Sequence, residues 1–266
     1  MKRFYMDDKE IKYKIYNPGG NITALVLDDK YTKEERKIIN DYILKINSKV
    51  EQVGFLSNSI NRLEMAGGEF CLNATRCAIY EYSKRQKGDI ELTISGSNNL
   101  FKGRKLANNI VELEMDINKD INRLVELNDN LTYINIDGIL IVIINEKESK
   151  EYISLLKKDE EKAKEEIKKL MINKIETKEK AIGVMLLEKI NNNLKINPIV
   201  WVKDIDTMFY ETACGSGSLG TAIYNCYKNN NKEISIIQPS NYKIDINIII
   251  KENRILRAIV KGVVLE

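Results

Sequence analysis

The chain of 266 residues contains no histidine, which removes histidine-dependent triads and every histidine metal site from consideration. Cysteine is scarce as well. Only Cys71, Cys77, Cys214 and Cys226 are present, and without a Cys-x-x-Cys pair they do not form the pattern of a structural zinc site. No charge of one sign dominates: 42 Lys and Arg face 39 Asp and Glu, which gives no ground for a nucleic-acid partner and points to a small substrate. No apolar run reaches the roughly 18 residues that span a bilayer, and the opening MKRFYMDDKEIKY lacks the apolar core of a secretion signal. These absences describe a cytosolic protein with no membrane partner, whose thiols stay unpaired unless chemistry uses them.

An internal repeat is present instead. CLNATRCAIYEYSK, from Cys71 to Lys84, is echoed by CGSGSLGTAIYNCYK, from Cys214 to Lys228. DIELTISGSN (Asp89 to Asn98) has its counterpart in KEISIIQPSN (Lys232 to Asn241). Cys71 and Cys214 are 214 − 71 = 143 positions apart, as are Asn98 and Asn241. Upstream, VGFL matches IGVM, and GGNITALVLD opens the first half much as IDGILIVIIN opens the second. The chain therefore reads as α+β, two pseudo-symmetric domains of residues 1–117 and 118–266, with a site between them.

Each unit opens on a buried strand, Ala24 to Leu27 and Ile139 to Ile144. An amphipathic helix follows in the first half, where Thr32 and Glu35 make a capping-box pattern and Ile38, Ile39, Tyr42, Ile43 and Ile46 form one apolar stripe. In the second half the pattern predicts one charged helix over Lys157 to Met171. Alternation at Ile90, Leu92 and Ile94, and again at Ile244, Ile246 and Ile248, predicts half-buried antiparallel strands.

Cys71 and Cys214 each stand immediately before a helical pattern, where unpaired N–H groups and the positive helix end favour an anion. That setting lowers a thiol pKa and also binds carboxylate. If the halves face each other, one thiolate could remove a proton from a carbon centre while the opposite thiol delivers one to the other face. Cys77 and Cys226 lie further inside the helices and read as buried structure. A redox dithiol would use the same Cys71 and Cys214. GSGSLG lacks the lysine and Ser/Thr of a phosphate loop, and YNPGGN is the pattern of a plain turn.

GGEFCLNATRC, ETACGSGS, the early NPGGN and the doubled layout resemble the cofactor-independent amino-acid racemases of the diaminopimelate epimerase family, over nearly the whole chain. YNPGGNITALV and EQVGF are most similar to the histidine racemases of that family, including the staphylopine-pathway type. The resemblance implies a sheet wrapped around a central helix in each half, and Cys71 and Cys214 as acid and base without pyridoxal phosphate or metal. It also implies substrate contacts at Asn21, Leu72, Asn73, Gly215 and Ser216. Glu51 in EQVGF would then meet the substrate side chain. The implied partner is a free amino acid, histidine first, with a homodimer as one open assembly. Leu72 replaces the glycine usual in diaminopimelate epimerases, and neither their Glu-Arg pair before the second cysteine nor an Asn-Pro-His segment is found. Diaminopimelate epimerase is the runner-up, followed by a dithiol redox protein or a binding module that has kept the fold.

Overall fold

The computed structural model describes residues 1–6, 9–57, 59–128, 130–136, 138–191 and 193–266. Seventeen strands and six α-helices occur among the described residues. The helices are α1 (Lys33–Ile46), α2 (Leu72–Tyr82), α3 (Ile121–Leu124), α4 (Glu146–Lys158), α5 (Glu160–Lys174) and α6 (Gly215–Asn229). None is long and apolar enough to cross a membrane.

The strand pairings repeat as the sequence does. Thr23–Val26 runs parallel to Gln52–Leu56, with α1 as the crossover, and Ile139–Ile144 runs parallel to Ala181–Ile190, with α4 and α5 between them. Arg62–Met65 pairs in parallel with Ile90–Ile94 across α2, and Asn193–Val202 pairs in parallel with Glu233–Ile237 across α6. In both halves the second crossover helix is the enclosed one. Every residue of α2 is buried, and the first nine residues of α6 form an unbroken buried run, as expected of helices wrapped by sheet rather than laid on one. The result is the two-domain α+β architecture of the epimerase type. Position 117/118 falls inside the strand Ile110–Asp120, which pairs with Leu100–Lys105 on one side and Arg254–Val263 on the other.

Three local expectations need correction. The charged stretch of the second half forms two helices instead of one. Asp159 sits between them with extended backbone (φ −156°, ψ 92°). Its N–H closes α4 on Leu155, and its carboxylate accepts the Lys162 N–H to open α5. On α1 the capping box of Thr32 and Glu35 is formed, but only Ile39 and Ile43 of the apolar stripe are buried. Ile38, Tyr42 and Ile46 remain 56%, 43% and 48% exposed. The strand Ile90–Ile94 is antiparallel on one side only, since its other neighbour, Arg62–Met65, runs parallel. The segment Lys243–Lys251 is antiparallel on both sides, as expected.

The NPGGN segment does more than turn the chain. Asn17 Oδ1 accepts the Gly19 and Gly20 N–H groups at 3.0 and 2.6 Å, and Gly20 has φ +104°. A Cβ on Gly20 would lie 2.7 Å from the Thr212 carbonyl oxygen. Glycine at this position therefore lets the first half press directly against the strand-to-helix connection that carries the second cysteine.

Candidate active site

Cys71 is the N-cap residue of α2 and Cys214 that of α6, with nearly the same backbone angles (φ −141°, ψ 110° and φ −136°, ψ 107°). Each sulfur accepts the third N–H of its helix, from Ala74 at 3.5 Å and from Gly217 at 3.3 Å. In each first turn a hydroxyl returns to the cap carbonyl: Thr75 to Cys71 at 2.7 Å, Ser218 to Cys214 at 2.6 Å. The two helix starts touch. The Leu72 N–H donates to Ser216 Oγ at 3.3 Å, Asn73 Nδ2 donates to the Ala213 carbonyl at 3.0 Å, and a Cβ on Gly215 would lie 2.8 Å from Asn73 Oδ1. The fully buried Arg76 supports this junction from behind by donating to Asn73 Oδ1 at 2.6 Å.

Both cysteines line one cavity, together with Asn73, Gly215, Ser216 and Glu51. Asn21 and Leu72 are buried and do not line it. The cavity volume is about 40 Å³, well below the roughly 300 Å³ of a typical ligand pocket, so the site is narrow in this structure. Its roof is made where α1 meets the second half. Lys33 pairs with Asp204 at 2.9 Å, and Asn40 and Leu44 line the cavity alongside Ile205.

Burial overrides the helix ends at the thiols. The Cys71 thiol is pushed up to about 12, first by burial and then by the charge of Glu211, with the Ala74 N–H opposing. Cys214 is raised well above the ordinary thiol value by burial, the Glu211 charge and a hydrogen bond to Glu211. The expected lowering is therefore reversed, and both groups are thiols at neutral pH. Their partners differ. The Cys71 thiol donates to Gln52 Oε1 at 3.0 Å; Gln52 Nε2 donates to Thr23 Oγ1 at 2.7 Å, and that hydroxyl donates to the Asn21 carbonyl at 3.0 Å. The chain of donors fixes the Gln52 amide with its oxygen towards the sulfur. Cys214 instead has Glu211, whose carboxyl is raised to about 8, chiefly by burial, and its backbone N–H donates to Gln238 at 2.9 Å.

Glu51 lines the cavity, but its carboxylate is already engaged. It accepts the N–H and the hydroxyl of Thr212. Sequence reasoning missed Glu69, Gln52 and Glu211. The available signal was a glutamate two residues before Cys71 and another three residues before Cys214. Cys77 and Cys226 are buried inside the helices, and none of the four cysteines is paired. Among the described residues no cluster of three or more Cys, Asp or Glu could hold a metal ion.

The family model of the histidine racemase CntK N-terminal domain matches residues 10–265. The chain belongs to this histidine racemase family. A histidine racemase of Fusobacterium nucleatum is 29% identical over 245 residues, covering 85% of this chain and 84% of that protein. One of Staphylococcus aureus is 24% identical over 250 residues, covering 88% and 87%. Solved structures share the fold. A Bacillus anthracis phenazine biosynthesis protein of the PhzF family matches with a TM-score of 0.58 at 15% identity, over 100% of this chain and 97% of that one. A hydroxyproline epimerase of Agrobacterium vitis, with bound trans-4-hydroxy-L-proline, matches with a TM-score of 0.58 at 8% identity, over 96% and 88%. As a member of this family, the chain is an isomerase of the racemase and epimerase kind.

Proposed function

We propose that the protein racemises a free amino acid, histidine first, by proton transfer between Cys71, the substrate Cα and Cys214. The observation that carries this reading is the placement of two cysteines, one from each half, as N-caps of touching helices on one cavity. The family match and the named histidine racemases support histidine as the substrate.

The first-turn amides of α2 and α6, at Asn73, Gly215 and Ser216, receive the substrate carboxylate. In its ionised form, Glu211 takes the proton of the Cys214 thiol. A carboxyl raised to about 8 is a better-matched acceptor for a buried thiol than one near 4.5, because the gap in proton affinity is smaller. The Cys214 thiolate then removes the Cα proton, and the electron pair left on Cα spreads into the carboxylate. The Cys71 thiol delivers its proton to the opposite face. Cys214 ends as thiol, Cys71 as thiolate and Glu211 as the acid; the inverted amino acid leaves, and exchange with solvent returns the Glu211 proton to Cys71 to restore the starting state. Amide donors fixed towards the developing charge in a largely buried site contribute about 3–4 kcal/mol each. The scheme uses groups of this chain alone.

Deuterium incorporation at Cα and chiral inversion, measured in D₂O with reductant on L- and D-histidine and a panel of amino acids, test the reading. Inversion is expected for the wild type and lost in both Cys71→Ser and Cys214→Ser. Inversion surviving in either variant sinks the two-cysteine scheme.

A further inference from the structure

Buried polar atoms without partners collect at this site. Among the described residues, Asn21 Oδ1, Glu69 Oε2 and Glu211 Oε2 are buried and accept no hydrogen bond. All three are acceptors, while the unmatched donor nearby, Arg76 Nε, stands behind the junction and does not line the cavity; a buried acceptor left unmatched costs about 1–3 kcal/mol. An α-ammonium group supplies donors to part of this set, with Glu211 next to Cys214 as one acceptor; Glu69 is a further acceptor on the same cavity. It belongs to the connection leading into α2, and its backbone is pinned there by the Ser95 hydroxyl, which donates to the Glu69 carbonyl at 2.8 Å and accepts the Met65 N–H at 2.9 Å. Its side chain is only 6% exposed, and its carboxyl lies over Gly67, where a Cβ would be 2.8 Å from Oε2. It makes no ion pair among the described residues. Val202 and Ile205 pack beside it at Gly67, and the same cavity is lined both by apolar groups such as Val53, Val200 and Phe209 and by the polar groups Glu51, Gln52 and Glu211.

A buried carboxyl oxygen without a partner, set against apolar groups on one side, fits a flat side chain that carries an N–H. The geometry points to Glu69 as the residue that binds the substrate's side-chain donor, which makes the substrate class amino acids with a side-chain N–H, imidazole above all. Burial holds the Glu69 carboxyl near 7 when the site is empty, so it can meet either a neutral imidazole or an imidazolium near neutral pH. This inference rests on the racemase reading and deepens it. A site built around such a bond rejects analogues that lack the donor far more strongly than an apolar pocket rejects a missing methylene.

The test compares kcat/KM for histidine and leucine in the wild type and in Glu69→Gln, with the two N-methylhistidines as further substrates. The wild type is expected to prefer histidine and to lose about 10-fold to 100-fold with one methyl isomer, the range set by one charge-assisted hydrogen bond. Glu69→Gln is expected to lower the histidine-to-leucine ratio by a similar factor. The rise in melting temperature caused by histidine, measured without turnover, should shrink in Glu69→Gln, and Glu69→Asp should restore part of it. A wild type that exchanges no amino acid overturns the racemase reading itself. A wild type that racemises histidine, with a ratio and a histidine-induced shift unchanged in Glu69→Gln, overturns this inference alone. Equal loss on every amino acid also overturns it.

Discussion

The Glu51 carboxylate accepts both the backbone N–H of Thr212, at 3.0 Å, and its hydroxyl, at 2.5 Å. A residue of the first half thereby fixes the position two before Cys214, and the Asn21 N–H adds a bond to the same hydroxyl at 2.6 Å. Thr212→Val removes both hydroxyl contacts while keeping the side-chain shape. It is expected to lower kcat about 10-fold to 100-fold, the cost of a small misplacement of a reacting group. Glu51→Ala should do the same, and the double variant should be no worse than either, as for two residues acting through one contact. Additive losses would show that Glu51 acts on the substrate directly.

The N-cap placement of both cysteines and the repeat were legible because each is a local pattern copied at a fixed spacing. The Thr32 and Glu35 cap was legible for the same reason. The break at Asp159 was hidden, since an aspartate between charged residues looks like helix until its backbone is seen to be extended. Periodicity on α1 showed an apolar stripe but not how much of it the sheet would cover, and Ile38, Tyr42 and Ile46 stayed outside. Glu69 and Glu211 were unreadable as lining residues of the cavity because the walls that enclose them come from residues more than a hundred positions away, such as Val202 and Ile205 against Glu69. The same enclosure reversed the expected thiol shift.

Contact between the two helix starts makes Gly215 sensitive. A Cβ there would lie 2.8 Å from Asn73 Oδ1 and 2.9 Å from Leu72 Cβ, and both belong to the first turn of the opposing helix. Gly215→Ala must push α2 and α6 apart. Loss of activity by at least about 100-fold is expected, with destabilisation of about 1–3 kcal/mol from the forced shift. Activity and denaturant unfolding measured on the same preparation check both. Near wild-type racemisation would mean that the helix starts have more freedom than their contacts allow.

The raised thiols give a direct chemical expectation. With Cys71 pushed up to about 12, its thiolate is far rarer at pH 7.5 than that of an exposed thiol near 8.5. Alkylation of the unliganded enzyme by iodoacetamide, followed by mass spectrometry of the Cys71 peptide, should be at least about 100-fold slower than that of a free cysteine peptide. Gln52→Leu removes the acceptor of the Cys71 thiol proton. It should lower kcat/KM by the same factor for L- and D-substrate, because the equilibrium constant of racemisation is one. Rapid alkylation of the resting enzyme would show a thiolate already present.

Stability should fall as pH rises through neutrality. Burial raises Glu69 to about 7 and Glu211 to about 8, above the roughly 4.3 of an unfolded glutamate. The folded protein therefore holds these two protons more tightly than the unfolded chain. Their contribution to stability is complete below about pH 4.3 and is lost as pH rises through 7 and then 8, each pKa unit corresponding to about 1.4 kcal/mol. Carboxylates with lowered values, such as Glu81 and Glu112, act in the opposite sense only at acid pH, while Glu51 and, above about pH 8, the raised thiols act in the same sense, so across the window from about pH 5 to 9 the difference between the wild type and each Gln variant isolates the pair. The melting temperature is expected to drop across this window and to drop less in Glu69→Gln and Glu211→Gln. A flat profile in the wild type would mean that both carboxyls are already ionised when the site is empty. Glu211 could not then match the Cys214 thiol as a proton acceptor.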